Sequence, residues 1–136
     1  MKCTFDLISF GNKTKTNQIA EGKVVEMFND FNVLIKRIEY DKFDRTIDVK
    51  NFDSTGVLSD NLHFEYFETE NEKGFVETFK SRFQEYVRKS YIRIEEGLKH
   101  HIDDYTSNTK PENSYINDFV YDLKGKLITV ISHKKL

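Results

Sequence analysis

The sequence predicts an α+β protein, with an antiparallel sheet of about five to six strands covered on one face by one long and one shorter helix. Two observations carry this prediction. The stretch from Gly74 to Tyr105 has apolar residues at steps of three and four, whereas the stretches on either side alternate as strands do. No shift in composition divides the chain, so we expect residues 1–136 to form a single domain, and we find no internal repeat.

The predicted long helix is defined by eight apolar residues whose spacing is that of one helical face. They are Phe79, Phe83, Val87, Tyr91, Ile94, Leu98, Ile102 and Tyr105. Such a helix would extend roughly 45 Å, which is longer than a compact chain of this size is wide. It should therefore overhang the rest of the protein or break at Gly97, a residue that is unfavourable inside a helix. Because a second copy of the chain could bury an overhang, a homodimer is among the expected assemblies.

The other elements follow in order along the chain. Residues 2–10 predict a first strand, and residues 11–16 predict a polar turn. Residues 17–31 predict the shorter helix, but Gly22 disfavours a helix, and a strand over 23–28 is the alternative. Further strands are predicted at 31–40, 45–52, 61–68, 115–123 and 127–133. Both faces of the last of these strands are apolar, so we expect it to lie inside the sheet.

The composition excludes several classes of protein. A formal net charge of −2 leaves no global attraction to nucleic acid or to a membrane surface. The single cysteine, Cys3, excludes an internal disulfide and fits a reducing compartment. Asp6 interrupts the position where a signal peptide needs an apolar run, and no stretch is apolar enough to span a membrane. We therefore expect a cytoplasmic protein.

The preferred functional hypothesis is a small protein-binding module of the inhibitor, immunity-protein or adaptor type. An acidic and aromatic stretch precedes the predicted long helix, which itself carries tyrosine and basic residues, and such residues are typical of protein-binding surfaces. No catalytic signature is present, so we predict no cofactor and favour binding over catalysis. The predicted binding residues are Glu65, Tyr66, Glu68, Glu70, Tyr86, Lys89 and Arg93.

The alternative hypothesis depends on the triplet Asp48-Val49-Lys50. An acid and a lysine two positions apart on a strand project from the same face of a sheet. With a second carboxylate they could hold a divalent metal and position an attacking water. Asp30 is the best-spaced second carboxylate. Other carboxylates are Asp41, Asp44, Glu65, Glu21 and Glu26.

This order of a helix bearing glutamate, an acidic residue and a strand with Asp-x-Lys resembles the PD-(D/E)XK nuclease superfamily. The resemblance implies that Asp30 and Asp48 bind Mg²⁺, that Lys50 assists the nucleophile, and that nucleic acid is the substrate. It covers about a third of the chain, and Asn29 stands where the motif has its proline. Under this alternative the protein is a magnesium-dependent nuclease, active or decayed.

Overall fold

The computed structural model describes residues 3–7 and 13–135 of the chain. The chain divides into two compact units, Met1–His63 and Phe64–Leu136. In each unit every strand pairs with the next strand in the sequence, so each unit is an antiparallel meander. The prediction of a single domain over residues 1–136 stays a prediction.

Eleven strands make up the two units. The strands of the first unit are β1 (Cys3–Leu7), β2 (Lys13–Ile19), β3 (Gly22–Phe28), β4 (Leu34–Asp41) and β5 (Thr46–Phe52). Strand β6 (Leu58–Glu68) begins in the first unit and ends in the second. The second unit continues with β7 (Glu72–Ser81), β8 (Glu85–Glu95), β9 (Leu98–Ser107), β10 (Tyr115–Tyr121) and β11 (Leu127–Lys134). Within residues 13–135 the only helix is a single 3₁₀ turn, Pro111–Asn113.

The predicted α+β fold is wrong, because the segment assigned to the long helix forms β7, β8 and β9. A step of four residues keeps side chains on one face of a helix, but it also keeps them on one face of a strand, whose period is two. Val87 and Tyr91 share a face of β8 in this way. The steps of three change the face of a strand, so Tyr91 and Ile94 lie on opposite faces of β8.

Turn residues interrupt the same segment. Glu96 and Gly97 have positive φ angles of 53° and 77°, which is the geometry of a two-residue hairpin turn. Gly97 therefore joins β8 to β9 and is not a weak point in a helix. Gly74 faces Tyr91 on β8, and a methyl group at Gly74 would collide with the backbone there. Without a long helix, the argument that an overhang favours a homodimer no longer applies.

The prediction of a shorter helix over 17–31 is also wrong. This segment is the end of β2, a turn and β3, so the strand alternative over 23–28 is confirmed. Gly22 pairs with Asp41 in a position where a Cβ atom would collide with the carbonyl oxygen of Tyr40. A close approach between two backbones therefore explains the glycine better than a helix does.

Two smaller predictions fail at the ends of the chain. The polar turn predicted at 11–16 lies in β2 from Lys13 onward, and its first two residues fall outside the described part of the chain. Strand β11 was expected inside the sheet, but among the described residues it pairs only with β10. The predicted first strand, 2–10, is confirmed over Cys3–Leu7, and the rest of it lies outside the described residues. The other predicted strands overlap β4, β5, β6, β10 and β11.

Four of the turns share one geometry, which is a repeat that we did not find in the sequence. They begin at Asn29, Asp41, Asp53 and Asp122. In each turn the first side chain accepts hydrogen bonds from the backbone N–H groups two and four residues later. The fourth residue of each turn has a positive φ angle: Asn32 at 60°, Asp44 at 61°, and Gly56 and Gly125 at 90°. The signal is only one polar residue and one left-handed position per turn, so it is weak in the sequence.

Few side chains are buried in either unit. Within residues 13–135 the buried hydrophobic residues are Val24, Ile102 and Val120. The buried polar residues of the same range are Asp48, Glu77, Ser107 and Ser114. Contacts between side chains on neighbouring strands therefore take the place of a core covered by helices.

The two faces of the first unit differ in chemistry. One face carries an aliphatic row across β3, β4, β5 and β6, formed by the paired residues Val25, Ile38, Val49 and Leu62. The other face carries a charged row formed by Glu26, Arg37, Lys50 and Asn61. This charged face is where the predicted Asp48 and Lys50 lie.

Candidate binding surface

Four aromatic rings form a continuous row across one face of the second unit. The ring centroids of Phe79 and Tyr86 lie 5.3 Å apart, those of Tyr86 and Tyr105 5.2 Å, and those of Tyr105 and Tyr115 5.1 Å. The register places Phe79 opposite Tyr86, and Tyr105 opposite Tyr115. The spacing of neighbouring strands therefore sets the spacing of the rings, and each contact adds a favourable aromatic pair.

An arginine flanked by two carboxylates lies beside this row. The Nε atom of Arg88 is 3.0 Å from Oε2 of Glu77, and its Nη1 atom is 3.8 Å from Oδ1 of Asp103. Glu77 is the Cα partner of Arg88 on β7, and Tyr105 is its partner on β9. Glu77 is buried, whereas Arg88 keeps a third of its side chain exposed, at 34%. The two carboxylates therefore neutralise the guanidinium beside the tyrosine rings, but among the described residues neither Nε of Arg88 nor Oδ1 of Asp103 makes a hydrogen bond.

The same two carboxylates influence the ionisation of two of the tyrosines. Burial, followed by the charge of Glu77, raises the pKa of Tyr86. Burial, followed by the charge of Asp103, raises the pKa of Tyr115. The cross-strand register and the contacts between neighbouring rings hold the row in place.

Two depressions, each of about 310 Å³, lie along the row and share Tyr105. One is lined by Glu77, Tyr86, Arg88, Tyr105 and Tyr115. The other is lined by Phe83, Gln84, Tyr105, Ser107, Thr109, Lys110 and Asn113. Phe83 lies in the turn between β7 and β8 with 83% of its surface exposed. We call the set Phe79, Phe83, Tyr86, Tyr105 and Tyr115 the tyrosine surface.

The predicted binding residues do not lie together. Tyr86 belongs to the tyrosine surface, but Lys89 and Arg93 alternate with it on β8 and lie on the opposite face. There, Nζ of Lys89 and Nη1 of Arg93 are each 3.9 Å from a carboxylate oxygen of Glu72. The two cations are therefore balanced by an acid on their own sheet.

The predicted acidic residues lie mostly near the turn that joins β6 to β7. Glu68 and Glu70, with Glu72, Ile92 and Ile94, are among the residues that line a cavity of about 440 Å³. Tyr66 contacts Phe75, with ring centroids 6.1 Å apart, while Glu65 is exposed on β6. The acidic turn and the tyrosine surface are thus separate features of the second unit.

Asp48 and Lys50 project from the same face of β5, as the alternation predicted. The Oδ2 atom of Asp48 accepts a hydrogen bond of 2.6 Å from Nζ of Lys50. Its Oδ1 atom lies 3.1 Å from both Nδ2 of Asn61 and Nδ1 of His63. Burial raises the pKa of Asp48, but the hydrogen bonds from Lys50, Asn61 and His63 together hold it below its usual value. Asp48 is therefore a buried, ionised carboxylate with both of its oxygens hydrogen-bonded.

Asp30 is not brought to this pair. Asp48 pairs with Glu39 on β4. Asp30 lies in the turn that precedes Leu34, the first residue of β4. At about 3.3 Å per residue, the turn that holds Asp30 lies roughly 16 Å along the strands from Asp48. Glu39 is the nearer acid, but its Oε1 atom lies 3.4 Å from Nη2 of Arg37. Within the described residues no group of three acidic, histidine or cysteine side chains is placed to share a metal ion. The geometry supports an ion-pair cluster at Asp48 better than a Mg²⁺ site.

Sequence reasoning missed most of the tyrosine surface and its charged partners. The residues not predicted to bind a partner are Glu77, Phe79, Phe83, Asp103, Tyr105 and Tyr115. If β7, β8 and β9 had been assigned, the step of two from Glu77 to Phe79, and from Tyr86 to Arg88, would have placed each pair on one face of its strand. The helical interpretation instead assigned Phe79, Phe83 and Tyr105 to the apolar face of a helix and left Tyr86 off that face.

None of the known protein-family models matches this sequence, and no curated protein matches it either. Among the described residues, no helix has the length and apolar character needed to cross a membrane. Any functional conclusion therefore depends on the surfaces of the two units.

Proposed function

We propose that this protein is a protein-binding module, of the inhibitor, immunity-protein or adaptor type, that uses the tyrosine surface to bind its partner. The single observation that carries the proposal is the row of four neighbouring rings, together with the exposed ring of Phe83, which lines one depression with Tyr105. Large aromatic side chains that are partly in contact with water stabilise a complex when a partner covers them, because burying apolar surface is favourable.

The composition of the surface supports a protein partner. Tyrosine and arginine are the side chains that contribute most often to binding hot spots, and such residues cluster at the centre of an interface. Tyr105 is central here, because it lines both depressions and contacts rings on both sides. The rings and Arg88 are held by neighbouring strands, so binding would lose little side-chain entropy.

The experiment compares two exposed phenylalanines at turn tips. Phe83 belongs to the tyrosine surface, whereas Phe31 lies in the turn between β3 and β4 of the first unit, and the two are 83% and 85% exposed. A photo-crosslinking amino acid is placed at each position, and the crosslinked partner is identified and purified. Calorimetry then measures its affinity for the wild type, Phe83→Ala and Phe31→Ala.

We expect crosslinking at position 83 and a loss of affinity of about tenfold or more for Phe83→Ala, as for a hot-spot residue. Phe31→Ala is the matched control and should bind within about twofold of the wild type, because Phe31 is equally exposed but lies outside the tyrosine surface. Equal losses in both variants, or a partner captured only from position 31, would rule out the tyrosine surface as the binding site.

A further inference from the structure

Strand β11 has the composition of an internal strand but lies at the edge of its unit. Apolar residues point to both of its faces, and four of them are between 45% and 55% exposed: Leu127, Ile128, Val130 and Ile131. Within residues 13–135 no strand pairs with its outer edge. Edge strands of natural proteins are usually short or polar, because a long apolar edge invites another strand to pair with it.

One hydrogen bond shows which backbone groups of β11 point toward β10 and which point outward. The N–H of Lys135 donates to the carbonyl oxygen of Ser114, at 3.1 Å, so residue 135 faces β10. Inward and outward directions alternate along an antiparallel strand, and the register is regular from Tyr115 to Val120. The N–H and C=O groups of Val130, Ser132 and Lys134 therefore point away from β10. These groups form the hydrogen-bonding edge that a further strand would use.

Charge decides which occupant fits this edge. Lys126 precedes β11 and Lys134 ends it, and the strand Leu127–Lys134 contains no acidic residue. Neither Lys126 nor Lys134 forms an ion pair among the described residues. In an antiparallel pairing of two copies centred on Val130, Lys126 of one copy would lie opposite Lys134 of the other. Like charges placed opposite each other destabilise a strand pair, so this register is unfavourable for a second copy.

We propose that the outer edge of β11 binds an extended segment of another protein by strand addition, and that this segment has an apolar centre with acidic residues near its ends. The main-chain groups of Val130, Ser132 and Lys134 supply the hydrogen bonds, while the apolar side chains of β11 contact alternate residues of the segment. Lys126 and Lys134 attract the acidic ends. The inference does not depend on the tyrosine surface, because it is carried by the backbone edge of β11 and not by the face on which the rings lie.

The test uses the full chain and a labelled synthetic peptide of about eight residues, a typical strand length, with alternating valine and threonine and a glutamate at each end. Fluorescence anisotropy measures its binding, and a control peptide carries lysine at each end. We expect the acidic peptide to bind and the basic peptide to bind at least about tenfold more weakly, because opposite charges at the ends favour pairing. Raising the salt concentration should weaken the acidic peptide's binding.

Two variants locate the binding edge. Ser132→Pro removes an N–H that points outward and leaves the bonds to β10 in place, so it should keep the fold and lower peptide affinity at least about tenfold. Ser132→Ala is the matched control and should bind within about twofold of the wild type. If Ser132→Pro does not fold, the Lys126→Glu, Lys134→Glu double variant replaces it and should reverse the preference between the two peptides.

Three outcomes would overturn the inference. They are a failure of the acidic peptide to bind at millimolar concentration, equal binding of both peptides, and self-association of the chain that Ser132→Pro abolishes. The last outcome would assign the edge to a second copy. None of the three bears on the tyrosine surface, whose test uses a different partner and a different residue.

Discussion

Asp48 and Lys50 lie on one face of β5, with Nζ of the lysine 2.6 Å from Oδ2 of the aspartate. The side chain of Asp48 is 9% exposed, and Asn61 and His63 occupy its other oxygen. A carboxylate in this position is satisfied by its own sheet. Its role in the described structure is to neutralise the lysine and to join β5 to β6.

The first prediction concerns stability in acid. Asp48→Asn should lower the free energy of unfolding by about 1 to 2 kcal/mol at neutral pH, because it removes the charged acceptor of Lys50, Asn61 and His63. The loss is moderate because Lys50 and His63 are partly exposed and solvent screens their charges. The folded-state pKa of Asp48 is depressed below 3.8, so its contribution is complete above that pH and is lost as the pH falls through the folded value. Urea unfolding at a series of acidic pH values should show the two proteins converging.

A matched control for this experiment is Asp44→Asn, whose parent side chain is 81% exposed beside Lys23. It should change stability by less than about 0.5 kcal/mol. A constant difference between wild type and Asp48→Asn down to low pH would contradict the depressed pKa.

The second prediction concerns metal. Because both oxygens of Asp48 are hydrogen-bonded and Asp30 lies in a distant turn, millimolar Mg²⁺ or Mn²⁺ should leave the melting temperature of the wild type unchanged. Thermal melts with and without each metal measure this directly. A rise in melting temperature that Asp48→Asn abolishes would restore the nuclease hypothesis.

The third prediction separates the observed sheet from the helix that the sequence suggested. Gly74→Ala should lower the free energy of unfolding by about 2 kcal/mol or more, since its methyl group would collide with the carbonyl oxygen of Ser90 and with Tyr91. At the first position of the predicted helix the methyl group would meet no neighbouring strand, so the same change would cost no more than about 1 kcal/mol. Chemical denaturation measures the size of the loss, and far-ultraviolet circular dichroism of the wild type should show a β spectrum.

Gly97→Ala is the companion variant. A Cβ atom there would contact nothing, but Gly97 has a φ of +77°, so the change should cost about 1 kcal/mol. Stabilisation by both substitutions would contradict the sheet.

The fourth prediction tests the repeated turn. Asp44 and Gly56 occupy the same left-handed position in successive turns, with φ angles of 61° and 90°. Asp44→Gly should therefore stabilise the protein by a few tenths of a kcal/mol to about 1 kcal/mol, and Gly56→Ala should destabilise it by about 1 to 2 kcal/mol. Melting temperatures of the two variants should move in opposite directions, and a shift in the same direction would argue against equivalent turns.

The fifth prediction concerns ionisation of the tyrosines. Burial, with nearby carboxylates, raises the pKa values of Tyr86, Tyr91 and Tyr115 above 10.0. Below the pKa of the unfolded chain, about 10, the protonated tyrosines do not reduce the stability of the fold. Above it, the unfolded chain loses these protons more easily than the folded protein, so the free energy of unfolding should fall as the pH rises. Phenolate absorbance should show a late-titrating fraction of the tyrosines. Tyr86→Phe should reduce that fraction, whereas an unchanged titration would indicate that Tyr86 is exposed.

Local chemistry could be predicted from the sequence wherever alternation was short and unambiguous. Strand β5 and the shared face of Asp48 and Lys50 follow from the period of two in Thr46–Phe52. Tyr86 was named as a binding residue, but its partners Phe79, Tyr105 and Tyr115 were not. A step of four is common to a helix and a strand, so the periodicity of this long segment did not distinguish them.

The sequence by itself determined the two-residue pattern of β4, β5 and β6, the polar turns between them, and the near-neutral charge that excludes global electrostatic binding. Only the tertiary structure decided which strands are neighbours, and therefore which side chains meet. The tyrosine surface arises because the register places Tyr105 beside both Tyr86 and Tyr115. Strand β11 is apolar on both faces, yet its position at an edge comes from the order of pairing. Pairing joins residues that are distant in the chain, and a local pattern carries no information about such contacts.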